Sequence, residues 1–256
     1  MKILIFDIET MPLLSYHWRR WKQNIAPSMT EREGYIQCYA AKWYGDDKMY
    51  YDGLDLHGNS IRDERYVASS LHRLLDEADA LVTFNGNKFD IPVVNTALVK
   101  HGFWPPSSSK SIDLFRVVKN RFSFSSSSLN SVCEQLGLGG KADTGGWQLW
   151  KGCMDGDPEA WAKMRRYNEQ DVLLTEELYV KLRPWIHNHP NVNLYDHLVN
   201  DRCPTCGSVH IVKNGSETLA AGVYQRYKCQ DCGTNMRGKT MLNTKSKRDS
   251  LMKAVK

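Results

Sequence analysis

The sequence contains no run of 18 apolar residues, so no membrane-spanning helix is expected. It contains no internal repeat. No secretory leader is expected: Met1-Lys2-Ile3-Leu4-Ile5-Phe6 begins like one, but Asp7 and Glu9 stop the apolar run too early for a secretory segment. An intracellular, cytoplasmic chain is the expectation. Cysteine is sparse over most of the length. Cys38, Cys133 and Cys153 are scattered without a partner at ligand spacing, and the total of 7 is odd. That argues against a disulfide-stapled secreted domain and reads these three as small core residues. What is present is 256 residues that are 41% hydrophobic and 25% charged, with 8 Trp, 12 Tyr and 7 Phe. Such a chain can bury a core and support one substantial domain with a smaller companion; global disorder, collagen and a coiled-coil rod are excluded.

Charge is unevenly placed. Residues 195–256 hold 11 Lys/Arg against 5 Asp/Glu, whereas the first 194 hold 23 against 24. A basic module on a near-neutral body suits a polyanionic partner; a solubilising tail is the alternative. The same stretch carries Cys203-Pro-Thr-Cys206 and Cys229-Gln-Asp-Cys232, with Gly207 and Gly233 directly behind each pair. Two Cys-x-x-Cys knuckles can wrap one tetrahedral Zn²⁺, and the 22 residues between Cys206 and Cys229 can form a hairpin or a three-stranded ribbon. A redox pair or an iron–sulfur centre is the alternative. A structural role for zinc is expected because so small a module lacks a core of its own. Tyr224, Arg226, Tyr227, Lys228, Arg237 and Lys239 lie in or beside this ribbon, and rings interleaved with cations suit single-stranded nucleic acid. The competing reading is a module that braces the fold or binds a protein.

Along the chain, Lys2 to Ile8 reads as a strand buried on both faces. Residues 11–33 read as a loop or short helix. Strands are expected over Tyr35–Tyr44, Lys48–Tyr51, Ala80–Phe84 and Ser111–Phe115. Helices are expected over Tyr66–Glu77, Asp90–Lys100, Arg116–Asn120, Leu129–Leu136 (behind a capping serine run) and Pro158–Leu182, which opens with the cap signature Asp157-Pro158. Gly137–Gly146 reads as mobile. The domains expected are an α/β body over 1–185, a linker over 186–200, the ribbon over 201–240 and a basic, frayed tail over 241–256.

Asp7 and Glu9 end the first apolar run, and a spacing of two puts both on one sheet face. A buried carboxylate pair repels itself unless compensated, most directly by hard divalent cations; two surface acids at a strand end are the alternative. Asp171 follows Tyr167 by four on the long helix, so the two share a helical face. Asp90 follows the turn Asn85-Gly86-Asn87 and Lys88-Phe89, and a plain helix cap would also explain it. Phe89 reads as core. Together these segments resemble the DnaQ-like 3′–5′ exonuclease superfamily of the ribonuclease-H fold. Phe6-Asp7-Ile8-Glu9-Thr10 is similar to its first motif, Asn85 through Asp90 to its second, and Tyr167-Asn168-Glu169-Gln170-Asp171 to the tyrosine version of its third. Leu129 to Gly137, Gly146-Trp-Gln-Leu-Trp150, Leu182-Arg-Pro-Trp185 and the insert with Trp18 and Trp21 resemble a phage and bacterial branch with a trailing zinc ribbon.

The resemblance implies a mixed five-stranded sheet flanked by helices. It implies hydrolysis of phosphodiesters with two Mg²⁺ or Mn²⁺ ions held by Asp7, Glu9, Asp90 and Asp171, with Asp7 bridging. Tyr167 would aim the water through its hydroxyl rather than act as a strong base, since a tyrosine ordinarily titrates near about 10. Asn85 and Lys88 would touch substrate. DNA with a single-stranded or frayed 3′ end is the expected partner. RNA, structured ends, a non-catalytic nucleic-acid adaptor and a zinc-stabilised scaffold are the other readings. A replication or repair protein would be needed as partner for any proofreading role, and a phage-encoded chain would work in the host cytoplasm.

Overall fold

A computed structural model describes residues 1–58, 63–140, 145–198, 200–220 and 222–252. The chain divides into two compact units, Lys2–Val180 and Lys181–Lys256, the second taking in Met1. The centre of the expected glycine-rich segment, 141–144, and the end of the expected tail, 253–256, lie outside the described residues, as do 199 in the linker stretch and 221 in the ribbon.

The first unit is an α/β domain around a five-stranded mixed sheet. Its strands are β1 (Ile3–Met11), β4 (Tyr35–Trp43), β5 (Met49–Gly53), β6 (Ala80–Thr83) and β7 (Lys110–Asp113), in the order β5-β4-β1-β6-β7. β1 is central: it pairs antiparallel with β4 and parallel with β6, and β6 runs parallel to β7. Leu4, Phe6 and Ile8 enter a core shared with Val67, Leu71 and Leu75 of α1 (Arg65–Glu77) and with Val94, Ala97 and Leu98 of α2 (Asp90–Lys100). Ile5 is also fully buried, so the opposite face is covered as well. That double burial is why the strand reads as a continuous apolar run.

The covering element on the Ile5 face is α6 (Pro158–Leu182). The partly buried Lys42, paired with Ile5 across the ladder, forms an ion pair with Glu176 of α6. Asp157 starts this helix by accepting the Glu159 N–H at 2.9 Å. Ser128 caps α4 (Leu129–Gln135) by accepting from Ser131. Between β7 and α4 lies α3 (Leu114–Arg121). β7 stops at Asp113, earlier than the expected Phe115, because the Asp113 carboxylate accepts the Phe115 N–H and turns the chain into α3.

Two features depart from expectation. The 11–33 segment contains a small antiparallel ladder, β2 (Leu14–Ser15) with β3 (Thr30–Arg32). A helix not foreseen in the sequence, α5 (Trp147–Met154), follows the glycine run and buries Leu149 and Cys153.

The second unit holds an antiparallel sheet β10-β9-β8, from β8 (Ile211–Leu219), β9 (Gly222–Cys229) and β10 (Asn235–Met241). The stretch expected as a linker is tied to the first cysteine pair. Val192 N–H donates to Pro204 O at 2.8 Å, and the Asn193 amide donates to Arg202 O and Cys203 O at 3.2 Å each. The expected frayed tail carries a short helix, α7 (Lys245–Asp249), capped by Thr244. No helix of the described residues is long and apolar enough to cross a membrane.

Candidate active site and cysteine cluster

The acids gather at the carboxyl edge of the sheet, where β1 lies between an antiparallel and a parallel neighbour. Open α/β sheets leave a crevice at such a switch point. Asp7 and Glu9 share the Ile5 face of β1 by strand alternation. A bulge lies beside them: Glu9 pairs with Cys38 but Thr10 pairs with Ile36, so Gln37 is the extra residue. Bulges next to sites re-aim side chains. Asp171 of α6 reaches this face, and carboxylate oxygens of Asp7, Glu9 and Asp171 all lie within 4.8 Å of one another.

Asn168, one turn before Asp171, is fully buried. Its side-chain NH₂ donates to Asp7 Oδ2 at 2.8 Å and to Asp7 O at 3.3 Å, while its own oxygen accepts from the Cys38 thiol at 3.9 Å. Asn168 therefore fixes the direction of Asp7. It stands inside the third motif but was assigned no role from sequence; the signal available was its i,i+3 spacing to Asp171.

Asp90 reaches the strand differently. The β1–β6 ladder runs from Ile3 to Ile5, and farther along β1 the Ile8 N–H donates to Asp90 Oδ1 at 3.1 Å. Asp90 is 2% exposed and stands outside the group of three mutually close acids. Burial pushes its carboxyl up to about 6; the Ile8 and Asp90 backbone N–H groups pull the other way, and the charge of Asp113 adds to the rise. Asp113, another residue with no role assigned from sequence, organises the turn ahead of Asp90. Its oxygens accept the Asn85 N–H at 2.9 Å and the Asn87 N–H at 3.3 Å. Gly86 is required in that turn because a Cβ there would collide with the Thr83 side chain. Asn85 is half-buried with φ 68°, and Lys88 is exposed. Phe89, expected in the core, is 43% exposed; as the residue before α2 it projects outward while Asp90 turns in. Tyr167 is half-buried and meets Trp150 of α5 edge to face, at 6.4 Å between centroids.

The donor chemistry fits divalent cations. Three carboxylates so close repel one another, and hard oxygen donors are what Mg²⁺ and Mn²⁺ select. Asp7, Glu9 and Asp171 could hold such an ion directly, with Asp90 beside them.

In the second unit the sulfurs of Cys203, Cys206, Cys229 and Cys232 all lie within 4.8 Å of one another. Cys203 and Cys232 sulfurs are 3.6 Å apart, and Cys206 and Cys229 sulfurs 3.7 Å. A disulfide would need about 2.05 Å. A tetrahedron with metal–sulfur bonds of about 2.3 Å has edges of about 3.8 Å, so the thiols are spaced to hold Zn²⁺. Both knuckles close alike: Gly207 N–H donates to Cys203 O and Gly233 N–H to Cys229 O, at φ 78° and 80°, which glycine adopts without strain. Burial raises the Cys203 and Cys206 thiols. At Cys232 burial is outweighed by hydrogen bonding with Thr234, Cys206 and Cys203 together, which brings it to about 7.

The ribbon residues singled out in the sequence divide between two faces. Arg226 and Arg237 are directly opposed across β9 and β10, and Lys228 opposes Asn235. The Arg237 guanidinium lies 5.0 Å from the Tyr224 ring centroid and 3.8 Å from Glu217, while Arg226 Nε donates to Asn214 O at 2.8 Å. Tyr227, opposite Met236, alternates to the other face. Lys239 is exposed on β10.

Sheet order and acidic edge together define a ribonuclease-H-like α/β domain. Residues 29–183 match a model of the RNase_H superfamily, and the chain belongs to that superfamily. The match takes in Asp90, Tyr167 and Asp171 and begins after Asp7 and Glu9, so those two join the site on geometry. A comparison with curated proteins gives no match. Membership brings a nuclease-type function, hence nucleic-acid binding, in domains that generally use divalent metal ions.

Proposed function

We propose that the chain is a metal-dependent 3′–5′ exonuclease of the tyrosine-type DnaQ-like group, removing nucleotides from single-stranded or frayed 3′ ends of DNA. One observation carries the reading: carboxylates from β1 and from α6, more than 150 residues apart in sequence, come within 4.8 Å of one another, and Asp90 binds the backbone between Asp7 and Glu9. Two Mg²⁺ or Mn²⁺ ions bound by Asp7, Glu9, Asp90 and Asp171 would neutralise phosphate charge, acidify a water and stabilise the leaving 3′ oxygen. The protein supplies the rest. Asn168 keeps Asp7 aimed. Tyr167 orients the attacking water through its hydroxyl. The turn that Asp113 holds presents Asn85 and Lys88 to the terminal nucleotide. The face of the cysteine ribbon carrying Tyr224, Arg226, Lys228 and Arg237 binds nucleic acid in its own right, on a sheet that one structural Zn²⁺ would hold.

The test uses 3′- and 5′-labelled oligonucleotides, as single-stranded DNA, duplex DNA and RNA, with Mg²⁺, Mn²⁺ or EDTA. Stepwise loss from the 3′ end of DNA that needs metal and disappears in Asp7→Ala is the expected result. Preference for RNA corrects the substrate. Binding without hydrolysis under any metal would leave a nucleic-acid adaptor and end the enzymatic reading.

A further inference from the structure

The insert between β1 and β4 presents a surface that the acidic site does not explain. Trp18 is 94% exposed, Trp21 83% and Tyr16 70%. Large aromatic rings left this bare in one short loop call for a partner, because isolated apolar exposure is ordinary but a cluster of such rings is not. Cations separate them: Arg19, Arg20 and Lys22 are all exposed, and no Asp or Glu occurs from Pro12 through Thr30.

The loop is shaped rather than loose. Tyr16 N–H donates to Met29 O at 2.9 Å and closes its base. His17 Nδ1 lies 2.7 Å from Arg19 O, Gln23 Nε2 donates to Trp21 O at 3.1 Å, and Lys22 takes φ 50°. These local bonds leave the indoles outward with the cations between them.

We infer that this insert is a binding platform for single-stranded nucleic acid, in which Trp18 and Trp21 stack on bases and Arg19, Arg20 and Lys22 pair with phosphates. Stacked rings among cations are the chemistry single strands require, since every base offers a π face and the backbone is uniformly anionic. Continuity selects nucleic acid over other partners. The insert is the direct extension of β1, and Trp18 follows Glu9 by nine positions, a reach of at most about 30 Å. One strand can therefore touch both the platform and the acids. The inference rests on the proposed nuclease reading for its orientation, with the end being cut at the acids, but not for the binding itself.

The test measures fluorescence anisotropy of a labelled 20-nucleotide oligo(dT) on the full chain, with EDTA present to stop hydrolysis. The Trp18→Ala/Trp21→Ala variant should bind at least about tenfold more weakly, and Trp18→Phe/Trp21→Phe should recover most of the loss. Arg19→Gln/Arg20→Gln/Lys22→Gln should flatten the plot of log affinity against log salt by about 2, near 0.7 per phosphate contact for a single strand. An unchanged melting temperature shows that the fold is intact. Affinity unchanged in the alanine variant overturns the platform. Tryptophan-dependent binding to anionic phospholipid vesicles, with oligonucleotide affinity unaltered, overturns it in favour of a lipid surface. Asp7→Ala separates the two proposals. If wild type binds through the tryptophans yet cleaves nothing, the nuclease reading fails and the platform stands; if cleavage needs Asp7 but neither tryptophan affects binding, the reverse holds.

Discussion

Asn168 sets what a single residue contributes to the acidic site. Its amide donates to the Asp7 carboxylate from a fully buried position. Asn168→Leu should cut turnover by about 10- to 100-fold, as loss of an orienting partner does at metal sites, and cost about 1–3 kcal/mol in urea unfolding. Turnover at the wild-type level would show that Asp7 needs no such partner. Asp90 makes a pH-dependent prediction. Its folded carboxyl titrates at about 6 against an ordinary 3.8, because burial disfavours the charge. The folded state thus holds the proton more tightly, and this contribution to stability is full below about pH 4 and is lost as pH rises through 6. Without metal, the wild type should lose about 2 kcal/mol relative to Asp90→Asn between pH 4 and pH 7; saturating Mn²⁺ should restore much of it. Parallel stability curves for the two proteins would refute the assignment. The carboxylates were legible in the sequence because acids interrupting apolar runs stand out. Asn168 and Asp113 were not, because a neutral amide in a helix and an aspartate ending a strand show their roles only once partners far away in sequence arrive.

At the scale of elements, the polar contacts that register α6 on the sheet include Asn168 to Asp7 of β1 and Glu176 to Lys42 of β4. The second pair is largely enclosed, with side chains 16% and 10% exposed. Removing one partner strands the other charge, so Glu176→Gln should destabilise by about 3 kcal/mol, while Lys42→Met/Glu176→Leu should recover most of that. Equal destabilisation in the single and double variants would mean that packing, not charge, is at stake. Long periodic segments such as α6, and the buried run of β1, were readable from sequence. The helix α5 was not: it follows a glycine run and contains Gly152, so its composition reads as loop while the tertiary burial of Leu149 and Cys153 makes it helix. The β2–β3 ladder escaped for a related reason, since strands of two and three residues carry too little alternation to read.

For the whole molecule, the two units differ in what holds them together. The first has a large apolar core. In the second, beyond Leu182, the only buried hydrophobic side chains among the described residues are Cys203 and Cys229. The thiols are thus the interior of that unit, and four of them packed together without a cation would leave polar sulfurs in place of a core. Metal binding would then be folding energy for that unit, since small metal-binding cysteine modules generally unfold without their metal. The chain should purify with about one tightly held zinc, and Cys206→Ser should abolish it. Hydrogen exchange should then show protection lost across β8, β9 and β10 but kept in β1 and β4. If the ribbon also grips substrate, the same variant should raise KM for long single-stranded DNA with kcat little altered, and should flatten the salt dependence of binding as the ribbon's arginines and lysines lose their frame. Protection retained in β8 through β10 after zinc is gone would show that this sheet stands without the metal. Lost protection with KM unmoved would reduce the ribbon to a module that takes no part in holding the polymer.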